Sequence, residues 1–98
     1  MNIYVSPPEV GGELVLWDMS LLPHEYDRLR LQRPDQRYGL DEKQLPPPSA
    51  SLKPMLGELI LINSCKLHGI RGVMSGLRAS LACFVGYTSP QEPLWLWS

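Results

Sequence analysis

The chain has 98 residues, room for one small domain with a thin core, since chains of this size bury only about 60–65% of the surface they expose when unfolded. Apolar residues make up 44% and charged residues 19%, with a net charge of −1, a balance that excludes a disordered acidic tail and leaves no electrostatic footprint for nucleic acid. Ten prolines and eight glycines, well above the ordinary combined share of about 12%, point to a turn-rich, β-rich architecture.

In chain order, Ile3–Val5 is a β-prone run closed by Ser6-Pro7-Pro8, and Gly11-Gly12 makes a turn. Glu13–Asp18 alternates Leu14 and Leu16 against Glu13, Val15 and Trp17, the pattern of a strand buried on both sides for much of its length. Residues 19–49 read as one long excursion. Pro23–Arg30 within it suits a short helix, Arg33-Pro34-Asp35 and Gly39 break it, and Pro46-Pro47-Pro48 is too stiff and donor-poor for a central strand. Loops of that length are uncommon in compact domains and are usually functional or mobile.

The second half is denser. Ala50–Pro54 reads as a short strand stopped by proline, Glu58–Asn63 as the most convincing strand of the chain, and Lys66–Ile70 as another short one. In Leu77–Tyr87 helix and strand compete. Alternation favours a strand, with Leu77, Ala79, Leu81, Cys83 and Val85 on one face and Arg78, Ser80, Ala82 and Phe84 on the other. The tail ends in Trp95-Leu96-Trp97-Ser98. Five or six short strands with proline and glycine punctuation describe a sandwich, jelly roll or barrel. No apolar run approaches the roughly 18–20 residues of a bilayer span, the start MNIYVSPPEV has neither a basic nor an apolar leader region, and Cys65 and Cys83 form no CxxC pair. The reading is a cytoplasmic protein with reduced thiols and no membrane or nucleic-acid partner.

Both histidines, taken alone, read as ordinary residues: His24 as a solvated side chain beside Glu25 and Asp27, His68 as a strand residue. The order of motifs changes the weight. Asn2-Ile3-Tyr4-Val5 runs into Gly11-Gly12-Glu13-Leu14. Gly57-Glu58-Leu59-Ile60-Leu61-Ile62 follows, then His68, then Arg78-x-Ser80. This order resembles the C-terminal part of the double-stranded β-helix of Fe(II)- and 2-oxoglutarate-dependent oxygenases, in their small-molecule hydroxylase and halogenase-like branch, from about residue 2 to residue 87. The resemblance implies an all-β, partial jelly roll of about six of eight core strands over residues 1–98, with residues 19–49 as an insert.

It further implies roles. His68 matches the second histidine of the family's metal-binding triad, in which two imidazoles and a carboxylate leave sites open for co-substrate and oxygen. Arg78 matches the guanidinium that receives the far carboxylate of 2-oxoglutarate, with the Ser80 hydroxyl on the same strand face. Arg71 is a rival cation, read as a solvated turn residue between glycines. Tyr4 and Trp17 are candidates for a substrate-cavity wall, with core packing as the competing reading. The family's first metal histidine and its acid, His-x-Asp, or His-x-Gly in halogenases, fall upstream of the Gly-Gly-Glu-Leu strand, and no histidine precedes Gly11 here. One imidazole does not hold Fe(II) usefully. The expectation is therefore a chain that needs Fe(II), 2-oxoglutarate and a small-molecule substrate only once the missing ligands are supplied. With strand edges unpaired and Trp95 and Trp97 uncovered, it is expected to self-associate or pair with an upstream-encoded half. A non-catalytic jelly-roll binding or interaction module and an unrelated small β protein are the competing readings.

Overall fold

The computed structural model describes residues 1–30 and 39–98. Among them, in chain order, are β1 (Asn2–Ser6), β2 (Val10–Gly11), β3 (Leu14–Leu16), α1 (Pro23–Leu29), a 3₁₀ turn (Glu42–Gln44), β4 (Ala50–Leu52), β5 (Leu59–Ile60), β6 (His68–Ile70), β7 (Val73–Ser75), β8 (Ala79–Ala82), β9 (Phe84–Gly86) and β10 (Trp95–Trp97). Every pairing between these strands is antiparallel. The protein is thus all-β in the main, consistent with a jelly-roll-like fold. No described helix is long and apolar enough to cross a membrane. The chain divides into two compact units, Met1–Gly12 with Lys53–Ile62 and Gly72–Ser98, and Glu13–Leu52 with Asn63–Arg71.

The first unit holds a three-stranded sheet, β5-β1-β8, and two ribbons, β2-β7 and β9-β10. Tyr4 is fully buried in it and Ile60 nearly so. Both Tyr4 backbone groups are bonded to the segment leading into β5, the N–H donating to the Glu58 carbonyl at 3.1 Å and the carbonyl accepting from Gly57 at 2.7 Å. Register places Leu59, Ile3 and Leu81 in one row across the three strands, hence on one face, and Leu59 and Leu81 there are exposed. In the β9-β10 ribbon, Phe84 stacks on Trp97 with ring centroids 5.6 Å apart, while Trp95, Leu96 and Trp97 remain exposed.

Several strands differ from their sequence-based extents. The run expected over Glu58–Asn63 pairs only at Leu59–Ile60, because β1 offers its first partner at Asn2, opposite Ile60. The single strand expected over Leu77–Tyr87 is two. The Cys83 N–H turns to the Met1 carbonyl at 3.0 Å, and the chain exchanges β1 for β10 as its partner. β2, β7 and β10 were not expected as strands, so the chain has more and shorter strands than the five or six anticipated.

Gly11 carries a backbone demand that only glycine meets cheaply. Its φ is +79°, and a Cβ there would run into the Gly72 carbonyl oxygen, a backbone atom that cannot swing aside. Gly57 has a similar φ of +77° but open space around it. Gly11→Ala is therefore expected to lower the urea midpoint by more than Gly57→Ala, which carries only the conformational cost of roughly 1 kcal/mol or more. Equal losses would contradict the close approach.

The second unit is built on the sheet β4-β3-β6. Leu14, Val15 and Trp17 are buried, so both faces of this strand are covered as its sequence suggested. The ladder stops at Leu16, short of the expected Asp18. The Trp17 N–H still reaches its in-register neighbour, the Leu67 carbonyl, at 2.9 Å, but the Leu67 N–H turns to the Met19 carbonyl at 2.7 Å, and the Asp18 N–H goes to Ser49 Oγ at 2.8 Å. The helix expected at Pro23–Arg30 forms over Pro23–Leu29, with proline in its first turn and Glu25 Oε2 accepting the Leu22 N–H at 2.8 Å. The 3₁₀ turn starts where Asp41 Oδ1 accepts the Lys43 N–H at 3.1 Å. The expected break at Arg33-Pro34-Asp35 lies outside the described residues. Ala50–Pro54 and Lys66–Ile70 pair over three residues each, Ala50–Leu52 and His68–Ile70.

Candidate functional site

Within the first unit, three of the residues singled out by sequence come together. Tyr4 and Ser80 are direct partners across β1 and β8, so their side chains share a face. The register shifts between Tyr4 and Ser6, a local irregularity of the kind that re-aims neighbouring side chains. Arg78 lies just before β8. Its Nη2 donates to the Tyr4 hydroxyl at 3.2 Å, and its guanidinium carbon lies 5.1 Å from the centre of the Tyr4 ring. Among the described residues its side chain meets a phenol and pairs with no carboxylate. Arg78 Nε is buried and, among the described residues, has no hydrogen-bond partner. A guanidinium is a rigid fork of donors matched to a carboxylate, and an unmet buried donor costs about 1–3 kcal/mol. The arrangement is a cation fixed by an aromatic ring, with a donor left to give.

Within the second unit, His68 opens β6 directly opposite Leu16. His68 is exposed, and its Nδ1 lies 2.8 Å from the Lys66 carbonyl. A carbonyl only accepts, which assigns the proton to Nδ1 and leaves Nε2 with the lone pair in the neutral ring. His68 and Trp17 both line a cavity of about 230 Å³, along with Tyr26, Glu42, Leu67 and Arg71. Trp17 thus serves as core and as cavity wall, whereas Tyr4 is wholly core. His24 is exposed, as expected. Cys65 and Cys83 are free thiols.

Arg71, expected to be a solvated turn residue, is instead ion-paired: its Nη2 donates to Glu42 Oε1 at 2.7 Å. Glu42 was not singled out, and no local pattern joins residues so far apart in sequence. The hydrogen bond from Arg71 holds the Glu42 carboxyl below its ordinary value, and the same bond raises Arg71 above its own. A carboxyl held low in the folded protein adds stability above the unfolded carboxylate range and loses it as pH falls through the folded value. Both side chains are more than two-fifths exposed, so that contribution is small. Arg71→Gln is expected to move the Glu42 titration upward towards the ordinary carboxylate range, read by carboxyl-carbon NMR.

Among the described residues, no group of three His, Cys, Asp or Glu side chains is placed to hold a metal ion. The donor set around His68 is one imidazole, too few ligands to offset the dehydration of Fe(II). The residues described therefore do not fit a complete iron site, although the unpartnered Arg78 donor fits a carboxylate such as that of 2-oxoglutarate.

No family model matches the chain. Nor does any solved structure. Among curated proteins it is similar to L-isoleucine 3(1)-dioxygenase of Pantoea ananatis (strain AJ13355). The two are 29% identical over 90 residues, covering 87% of this chain and 28% of that protein. The chain spans little more than a quarter of that relative's length. The similarity is to a dioxygenase, an oxidoreductase, and at that coarse level it agrees with the resemblance drawn from the motifs.

Proposed function

We propose that the chain is the C-terminal segment of an Fe(II)- and 2-oxoglutarate-dependent oxygenase that hydroxylates a C–H bond of a small molecule. The observation that carries this reading is Arg78, braced on Tyr4 with a buried Nε donor unmet. In it Arg78 receives the far carboxylate of 2-oxoglutarate, Ser80 adds a hydroxyl donor from the same face, and His68 offers Nε2 as one metal ligand. The other ligands come from outside residues 1–98. The similarity to a dioxygenase supports the class, and the L-isoleucine in that relative's name supports a substrate of amino-acid size. No helix lies in the interval from His68 to Arg78, as the reading requires.

The test is a titration of the chain with 2-oxoglutarate, followed by NMR at the Arg78 Nε–H and the Tyr4 ring. Weak, saturable shifts at those two groups, weakened at least tenfold by Arg78→Gln, are expected. Shifts confined to other basic residues, or none up to the solubility limit, would overturn the assignment. Pairing with the missing portion, or self-association through the exposed Leu59, Leu81 and Trp95–Trp97 surface, belongs to the same proposal. Sedimentation that gives a single monomer at all concentrations would count against the self-association.

A further inference from the structure

We infer that the aromatic face of the β9-β10 ribbon reads polyproline, and that its partner is the Pro46-Pro47-Pro48 run of a second copy of this chain. This does not rest on the oxygenase reading; it names what the Trp95–Trp97 surface meets when the chain self-associates. In the ladder Trp95 faces Gly86 and Trp97 faces Phe84, so these four residues share one side of the ribbon. The Trp97 indole lies over bare backbone at Gly86, where a Cβ would meet its Cζ3 at 2.8 Å and its Cη2 at 3.1 Å. It also stacks on Phe84 at an interplanar angle of 20°. The ring is held in place before any partner arrives, which lowers the ordering cost of binding. Phe84, Trp95 and Trp97 are each more than half exposed, and this side carries no charged side chain. Among the described residues Trp17 is the only tryptophan whose indole N–H is engaged, so the face offers hydrocarbon and two unmet donors. A polyproline helix asks for that combination: apolar surface for its rings, and donors for carbonyls that a backbone without N–H groups leaves unpaired.

The chain already makes this contact once. Trp17 Nε1 donates to the Pro46 carbonyl at 2.7 Å, which fixes the run on the second unit. Leu45 enters it in extended backbone, with φ −97° and ψ 155°, and Pro46 and Pro47 are exposed. The Pro47 carbonyl accepts no hydrogen bond among the described residues. The run is a presented rod with an acceptor to spare. Alternate residues of a strand stand about 7 Å apart and alternate residues of polyproline about 6 Å, so Trp95 and Trp97 match two prolines of one rod. Size points the same way. The three rings leave roughly 300–400 Å² open, about half or less of the ~800 Å² that each partner gives to a standard interface. A permanent dimer needs more than this face supplies; a rod of three prolines does not. The association is accordingly weak and transient.

The test follows the Trp95 and Trp97 indole N–H signals of the full chain by NMR. As the protein is concentrated, both are expected to shift together with the Ser49 amide, on one isotherm. The blocked peptide Leu-Pro-Pro-Pro-Ser should move the same two indoles and bind at least tenfold more tightly than Leu-Ala-Ala-Ala-Ser. Pro47→Ala and Trp97→Ala should each remove the concentration dependence, with an unchanged Trp17 indole signal showing that the second unit is intact. Mixing the two variants should restore the contact, because one keeps the rings and the other keeps the run: labelled Pro47→Ala should shift at Trp97 when unlabelled Trp97→Ala is added. Self-association that persists in Pro47→Ala would show that the rings meet their own kind, and would overturn the inference. So would equal binding of the two peptides, or no response of either indole up to the solubility limit. None of these results touches the titration of Arg78 with 2-oxoglutarate, so this inference and the oxygenase reading fail separately.

Discussion

Tyr4→Ala should unfold the first unit. Tyr4 is fully buried, its backbone is bonded to Glu58 and Gly57, and its hydroxyl is the hydrogen-bond partner of Arg78. Truncating a buried aromatic costs about 3–5 kcal/mol, against a total of about 5–15 kcal/mol for a domain, and a thin core sits near the lower bound. The variant also strands the Arg78 guanidinium, whose Nε is already unmet. Hydrogen exchange at β1 and β8 amides is the measurement, and loss of their protection is the expected result. Tyr4→Phe separates the two contributions. It keeps the ring over which Arg78 lies and removes only the oxygen, so a loss of about 1–3 kcal/mol is expected. A Tyr4→Ala protein with native exchange rates would show that the ring is not the keystone of this sheet.

Trp17→Ala is expected to cost the second unit a similar amount, about 3–5 kcal/mol, by a different route. The indole is 5% exposed and its N–H ties the Pro46 carbonyl to β3. Removing it frees the polyproline segment from the strand and opens the cavity wall at once. The amides to follow are Trp17 itself, bonded to Leu67, and Ser49, bonded to Leu16. Both should exchange faster by about two to four powers of ten if the whole loss is felt there. Trp17→His, which keeps a ring donor but fills less space, should recover part of the protection. No change in Ser49 exchange would mean that Pro46 is held by something other than this bond.

The sequence carried the β class well because its evidence is local. Alternation and double-sided burial at Leu14–Trp17, proline in the first turn of α1 and glycine at the turn positions are all written in neighbouring residues. What it could not carry is where a ladder runs out. Leu61 and Ile62 are as β-prone as Leu59 and Ile60, yet no ladder with β1 forms beyond Ile60, and only the partner's register decides that. Continuous alternation through Leu77–Tyr87 likewise hid the break at Cys83, which depends on the Met1 carbonyl. The same division runs through the candidate sites. Arg78, Ser80 and Tyr4 were legible because motif order marks them, and their meeting within one sheet follows from β1–β8 pairing. The Arg71–Glu42 pair was not legible, since a turn at Arg71-Gly72 says solvent and nothing near Glu42 says otherwise.

β1 is the middle strand of its sheet, flanked by β5 and β8, and both neighbours lie more than fifty residues further along the chain. The centre of that sheet leaves the ribosome before either of its borders. Ile3 and Tyr4 have no strand to zip onto until Leu59 and then Ser80 and Leu81 have emerged. Distant closures of this kind slow folding and lengthen the time that greasy segments can meet a chaperone or a neighbour on the same message. Yield from cells should therefore respond to slowed translation of the β5 and β8 codons, or to added holdase.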